Sequence, residues 1–378
     1  MLKKRTVGLL FSLLLLCSLR LPAWGDESGP EPEGITAQAA IVMEASTGRI
    51  LYARNEHERL SMASTTKIMT TLLALSYPEL DREFVVNEEA IRVEGSSMGL
   101  LEGDTVTMRA LCYGMLLESG NDAANVAAYE VAGSIGAFVD MMNGMAKTLG
   151  MHDSSFETPS GLDGENHYST AYDMALLTQA ALQNPDFVSI CSQTTAQVSY
   201  GNPPYQRWLT NHNRLLKEYG GCIGIKTGFT KKSGRCLVSA AERDGVRLIC
   251  VTLNAPDDWN DHKKLLDYGF EQVTLTTLEA NLDIARLPVV GGLASDIEIY
   301  ASDVSINAVL PQEDVDQLQM RVYLPHFLYA PVQAGEEIGR IEYWLENDLL
   351  AEFPIWAGAN IDYAAKEGLW EKIKGIFS

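Results

Sequence analysis

Apolar positions change their spacing several times along the chain, and each change marks an element. Residues 39–43 and 49–52 are short apolar runs on either side of Ser46-Thr47-Gly48, which predicts a β-hairpin. From Ser64 onward the segment KIMTTLLALSY has helical character. A second helix is predicted from Thr107, a good N-cap, through MRALCYGMLLE, and a third follows Ser119-Gly120-Asn121. In a fourth, Phe138, Met141, Met142, Met145 and Leu149 recur at helical spacing, and Gly150 is placed to end it. Those methionines read as core packing, with an adaptable binding face as the alternative.

Between about residues 221 and 254 the pattern changes to strands. GCIGIKTGF, GRCLVSAAER and VRLICVTLNA read as three of them, the last two joined by an Asp244-Gly245 turn. That turn sets Cys236 opposite Leu253 and not opposite Cys250. Residues 261–270 read as a closing helix. A helical middle with strands at both ends is an α/β or α+β pattern in which the two ends share one sheet. Beyond residue 272 the segments DIEIYA, SINAVL, LQMRVYL, IGRIEYWL and LAEFPIW are separated by turn residues, predicting a small all-β module over 272–360. Residues 361–378 form a short amphipathic stretch. Leu369, Trp370, Ile373, Ile376 and Phe377 share one helical face, while Lys366, Lys372 and Lys374 lie off it. That is the pattern of a helix lying on a membrane surface, with docking on its own domain as the alternative.

The first 25 residues read as a targeting segment. Lys3, Lys4 and Arg5 precede an apolar run from Val7 to Leu19, and Ala23-Trp24-Gly25 offers a cleavage site. The run is shorter than the ~20 residues of a spanning helix, although an uncleaved anchor is the rival reading. Cys17 follows Leu16 where a lipoprotein site wants a small residue. Residues 26–34, DESGPEPEG, are an acidic spacer.

Composition sharpens this picture mainly by exclusion. The 378 residues carry a formal charge of −21, and losing residues 1–25 would remove four cations and no anion. So acidic a chain lacks the clustered Lys and Arg that nucleic-acid backbones require, and nucleic-acid partners are excluded. Cys112, Cys191, Cys222, Cys236 and Cys250 would stay after cleavage, an odd set expected to be mostly free, buried thiols. No C-x-x-C pair or H-E-x-x-H occurs, so no metal and no cofactor is expected.

Three short motifs carry candidate chemistry. Ser64-Thr65-Thr66-Lys67 places a hydroxyl and an amine one helical turn apart, where a neutral lysine can take the serine proton. A helix N-terminus at Ser64 would add free N–H groups suited to an oxyanion. Ser119-Gly120-Asn121 supplies a second hydroxyl and an amide. Lys226-Thr227-Gly228 lies on a predicted strand, where the glycine allows close backbone approach and the lysine can hold an anionic group. Each motif alone is weak, but the ordered set within one domain is a strong signal. Gly95-Ser96-Ser97-Met98-Gly99 also matches a nucleophile elbow on paper. Its charged upstream segment and the LLEGD that follows do not supply the strand and helix such an elbow needs.

With these motifs, and with ASTGRILYARNEHE, MASTTKIMT, SSMGLLEGD, ESGNDAANVAAYEVAG, GLDGENHYSTAYDMA and GIKTGFT, the chain resembles the serine D-alanyl-D-alanine carboxypeptidases, the low-molecular-mass penicillin-binding proteins. The resemblance covers about residues 35–270. It implies a DD-peptidase/β-lactamase-like domain over 35–271, with an antiparallel sheet and a helical subdomain. A small β-sandwich and an amphipathic anchor would follow. The implied substrate is a peptidoglycan stem peptide ending in D-Ala-D-Ala, with β-lactams as covalent inhibitors, at the outer face of the cytoplasmic membrane or secreted to the wall.

Carried over by motif, Ser64 is the nucleophile, Lys67 the proton acceptor and Ser119 a proton relay. Asn121 orients substrate and Lys67, while Lys226, Thr227, Gly228 and Phe229 form the substrate-binding strand. Backbone N–H groups of Ser64 and Phe229 would make the oxyanion hole. The chain departs from the family at Ile223-Gly224, where Asp-Gly is common, and at Phe229, where histidine is common. A β-lactamase is disfavoured because no E-x-x-L-N frame accompanies Glu157 or Glu165. A non-catalytic penicillin-sensing or wall-binding module is disfavoured by the intact motifs, and endopeptidase action on D-Ala crosslinks is the nearest rival.

Overall fold

A computed structural model describes residues 32–364; the segment 1–25, most of the acidic spacer and the tail from residue 365 onward lie outside the described residues. β1 (Ala39–Glu44) and β2 (Ile50–Arg54) form the predicted hairpin. The helical middle contains α1 (Lys67–Ala74), α2 (Met108–Leu116), α3 (Asn121–Ala132), α4 (Ile135–Thr148), α5 (Ala171–Ala181) and α6 (Pro185–Cys191). Thr107 caps α2 by accepting from Ala110 N at 3.1 Å, and Gly150, at φ +76°, follows the end of α4 as its position suggests. The Ser64-Thr65-Thr66-Lys67 motif departs slightly from expectation. Ser64 sits in a 3₁₀ turn (Ala63–Thr66), and α1 begins only at Lys67.

A small sheet of β3 (Glu83–Val85), β4 (Thr105–Thr107), β5 (Thr195–Gly201) and β6 (Pro204–Thr210) flanks the helices. It is not among the predicted elements. β3 and β4 are three residues long and β6 buries only Leu209. β5 does alternate, with Ala196, Val198 and Tyr200 buried between exposed Thr195, Gln197 and Ser199, a signal that the predicted elements leave out.

After the short α7 (Leu215–Glu218) come β7 (Cys222–Thr230), β8 (Gly234–Arg243) and β9 (Val246–Leu253). They join the N-terminal hairpin in one antiparallel sheet of order β2-β1-β9-β8-β7, so the two ends of the domain share a sheet as predicted. Asp244 and Gly245 take φ +50° and +79°, the left-handed pair of a tight hairpin turn, and set Arg243 opposite Val246. In that register Cys250 faces Ser239. All five described cysteines are free thiols, and all but Cys222 are buried.

β1 is buried at every position because both faces of the sheet are covered. Alternate residues divide between two cores. Ala39, Ile41 and Met43 pack with the helices, while Ala40 and Val42 pack on the side of α8 (Asp258–Gln272). The same alternation puts Lys226 and Gly228 of β7, opposite Val238 and Cys236, on the helical side. β7 is the edge strand, so a substrate can lie against it.

From Val273 the chain is β-rich. β10 (Val273–Glu279), β11 (Arg286–Val290), β12 (Asp296–Ala301), β13 (Ser305–Pro311), β14 (Gln319–Tyr323), β15 (Leu328–Tyr329), β16 (Glu337–Leu345) and β17 (Asp348–Ala357) form a six-stranded and a two-stranded sheet. Ile297, Ile299, Ile341, Phe353 and Ile355 centre its separate core. Residues 361–364 still belong to this part, since Ile361 pairs with Val332 and Tyr363 with Gly292. The first four residues of the predicted amphipathic stretch 361–378 are thus bridged into the β module, and the rest of it lies outside the described residues.

Two buried histidines make the fold sensitive to acid. His262 of α8 lies under the sheet, 2.5 Å from Ser239 Oγ and 2.9 Å from Thr252 Oγ1, and burial pushes its pKa down to about 3. Burial likewise lowers His167 to about 4, against the opposing pull of Glu157 and Asp163. Both rings are neutral in the fold and gain a proton on unfolding below the ordinary value of 6.5. Stability is therefore full above pH 6.5 and is lost as the pH falls towards 4 for His167 and 3 for His262. Each ring contributes up to ~1.4 kcal/mol per pH unit in that window. The urea midpoint is expected to be flat above about pH 6.5 and to fall steadily below it, with a shallower fall in a His262→Gln variant. A midpoint that rises on acidification would contradict this.

Candidate active site

The first motif is held at an unusual turn. Ala63, just before Ser64, stands at φ +49°, a region that residues with a side chain rarely enter. Thr65 and Thr66 stitch the turn with their hydroxyls, donating to Met62 O at 2.6 Å and Ala63 O at 2.8 Å. Lys67 follows at the start of α1 and is fully buried.

Three partners surround the Lys67 amine: Ser64 Oγ at 3.0 Å, Asn121 Oδ1 at 2.7 Å and Ser160 O at 2.5 Å. The Asn121 amide orientation follows from its other end, where Nδ2 donates to Glu94 O at 2.6 Å. Asn121 Oδ1 and Ser160 O can only accept. A neutral amine would therefore donate its two hydrogens to them and turn its lone pair to the Ser64 hydroxyl. Burial, and then the nearby positive charge of Lys226, hold Lys67 well below the ordinary lysine pKa, with Asp122 opposing. Geometry and electrostatics thus agree on an amine able to accept the serine proton.

Asn121 opens α3, and Ser119 precedes it at φ +60°, almost buried. Asp122 explains the G-x-S-x-G match. Its carboxylate accepts from the backbone N–H groups of Met98, Gly99 and Leu100 at 2.9, 3.1 and 3.0 Å and from Ser97 Oγ at 2.6 Å. That segment is a loop strapped onto α3 and not a nucleophile elbow. Its Ser96 O accepts from Asn121 N at 2.7 Å, and Ser96 reaches the cleft.

β7 closes the other side. Lys226 is buried, donates to Thr227 O at 2.9 Å, and is pushed down to about 7 by burial. Gly228 lies close against the serine turn, since a Cβ there would be 3.1 Å from Met62 O and 3.2 Å from Ser64 N, contacts tight enough to shift the turn by a few tenths of an ångström. Phe229 is 65% exposed at the rim.

Ser64, Ser119, Thr227, Gly228 and Phe229 line one cleft of about 460 Å³, and Lys67, Asn121 and Lys226 are packed against it. Sequence reasoning missed the rest of the lining: His212, Arg214, Arg235, Asp258 and Trp259. Arg214 and Arg235 lie over the Trp259 ring, 5.8 and 5.5 Å from its centre, and Arg235 pairs with buried Asp258 at 2.9 Å. His212 is half exposed and stands 3.7 Å from Glu118; partial desolvation, and then the charge of Lys226, lower its pKa. These residues come from separate segments with no common spacing. The nearest sequence signal was the polar NHNR stretch ahead of α7.

Comparisons with known proteins give the family. A family model described as D-alanyl-D-alanine carboxypeptidase matches residues 26–257, and one described as penicillin-binding protein 5, C-terminal domain, matches residues 270–363. The D-alanyl-D-alanine carboxypeptidase DacF of Bacillus subtilis is 32% identical over 98% of this chain and 100% of its own length. DacC of Escherichia coli, a protein of the same name, is 31% identical over 90% of this chain and 88% of its own. The crystal structure of penicillin-binding protein 5 from Haemophilus influenzae superposes with a TM-score of 0.65 at 28% identity, covering 88% of this chain and 100% of that one. With both parts matched in order and relatives aligned nearly end to end, the chain is a serine hydrolase and belongs to the D-alanyl-D-alanine carboxypeptidase family.

Proposed function

We propose that this chain removes the terminal D-Ala of peptidoglycan stem peptides through an ester on Ser64. The observation that carries the reading is the Lys67 amine, whose two purely accepting partners leave its lone pair for Ser64 Oγ. As Oγ attacks the carbonyl of the penultimate D-Ala, its proton passes to Lys67. The C–N bond then breaks, and the departing amine of the last D-Ala takes a proton, relayed by Ser119. Water next attacks the ester, gives up one proton to the same groups, and releases the shortened peptide with Ser64 restored. The N–H groups of Ser64 and Phe229 stabilise the oxyanion, a role supported by the close approach of Gly228 to Ser64 N.

Lys226 and Thr227 receive the terminal carboxylate. An anion beside Lys226 restores the charge that burial has weakened, so binding and protonation reinforce each other. Asn121 holds Lys67 and the substrate amide. β-Lactams, as strained amides carrying a carboxylate, acylate the same serine.

A pentapeptide ending in D-Ala-D-Ala is expected to release free D-Ala faster than a crosslinked dimer is cleaved. Faster cleavage of the dimer would instead make the enzyme an endopeptidase. The leader-like residues 1–25 and the amphipathic 361–378 support an exported enzyme attached to the outer face of the membrane by its tail. A chain ended at Ala364 that stays with the membrane fraction would exclude the tail as anchor.

A further inference from the structure

The backbone around Ser64 is held from outside its own turn. Gly161, at φ +86°, packs so closely that a Cβ on it would lie 2.1 Å from Ala63 O. That carbonyl belongs to the residue at φ +49°, and it accepts the Thr66 hydroxyl at 2.8 Å. Thr66 is completely buried, and its Oγ1 also lies 2.8 Å from Nε2 of His167.

The direction of this chain of bonds is fixed at both ends. Glu157 N–H donates to His167 Nδ1 at 2.9 Å, so Nδ1 carries no proton. The neutral ring keeps its proton on Nε2 and donates it to Thr66 Oγ1. The Thr66 hydroxyl is left to donate to Ala63 O, which can only accept.

We propose that His167 is a positioning residue for the nucleophile: acting through Thr66, it holds the Ala63 carbonyl, and with it the Ser64 turn, in the geometry that acylation requires. This rests on Ser64 being the nucleophile. The loop containing His167 also holds the base. Ser160 O accepts from Lys67 at 2.5 Å, Pro159 O from Thr70 Oγ1 at 2.6 Å, and Asp163 Oδ1 from Ser61 Oγ at 2.9 Å. One strap thus bears on both reacting groups, and His167 locks it to the serine turn. Its ring touches none of the reacting atoms.

The test follows acylation by a fluorescent penicillin, resolved into the first-order step at saturation and the half-saturating concentration. His167→Phe keeps a ring without either nitrogen, and Thr66→Val keeps the shape without the hydroxyl. Each is expected to slow the first-order step about tenfold or more and to leave the half-saturating concentration within about twofold. The double variant is expected to be no slower than the worse single one, because both break the same chain of bonds. His167→Gln, which can both donate and accept, is expected to recover most of the rate.

Either single variant labelled at the wild-type rate overturns the proposal, as do effects that multiply in the double variant or a glutamine that rescues nothing. Should His167→Phe fail to fold, Thr66→Val and nitrogen NMR of the wild-type ring decide. A bare Nδ1 with a protonated Nε2 near neutral pH supports the assignment, and the reverse tautomer overturns it. A wild-type protein that takes no label at all removes the Ser64 reading, and this inference with it.

Discussion

Replacing Lys67 by methionine is expected to slow acylation of Ser64 by about 10³-fold or more, the scale of losing a positioned general base. Methionine has nearly the same length and suits a fully buried site, so the cleft keeps its shape while the amine bonded to Ser64 disappears. Asn121 Oδ1 and Ser160 O then lack their donor, which costs about 1–3 kcal/mol for each group left unsatisfied. Removing a buried amine offsets part of that. The protein should still fold, with a lower midpoint.

Lys67→Arg separates two explanations of the loss. A guanidinium keeps the positive charge but cannot give up its proton in a protein. If Lys67 acts only as a charge beside the oxyanion, the arginine variant retains activity. If it accepts the serine proton, arginine is as inactive as methionine. The lone-pair geometry and the depressed lysine pKa predict the second outcome.

The motifs were legible because they are side chains at fixed offsets. Ser64 and Lys67 are three residues apart at the start of a helix, and the structure joins them by a hydrogen bond of 3.0 Å. The Asp244-Gly245 turn and the Thr107 cap were legible for the same reason, since a local backbone need selects a local residue type. What could not be read was set by the backbone or by distant packing. Ser160 acts through its carbonyl, which every residue possesses. His167 meets Thr66 only because a loop 101 residues further along the chain folds back over the nucleophile turn. His212, Arg235 and Trp259 converge from three segments, so no spacing links them. In the β3–β6 sheet, β3 and β4 are too short and β6 too exposed to show alternation, whereas β5 alternates in TAQVSYG and was legible but passed over. Composition pointed to an acidic protein, and the motifs placed one cation, Lys226, in the cleft. The structure adds Arg214 and Arg235 to the lining.

The second large effect concerns the nucleophile. Ser64→Ala removes the hydroxyl bonded to Lys67, the one among its described partners that can donate a proton, and leaves the turn, Gly228 and the neighbouring N–H groups in place. Release of D-Ala is expected to fall by about 10⁴-fold or more, because the covalent route is closed, while the N–H donors still bind and polarise the carbonyl. The carboxylate site proposed at Lys226 and Thr227 is untouched, so binding of a non-hydrolysable stem peptide should change by less than about threefold, within the scatter of a small surface change.

The most direct measurement is mass spectrometry of peptides from the protein after brief treatment with penicillin. The acyl mass is predicted on the peptide containing Ser64, at one equivalent per chain, and absent from the Ser64→Ala protein. An adduct on Ser96 or Ser119, or labelling that survives Ser64→Ala, would contradict the account.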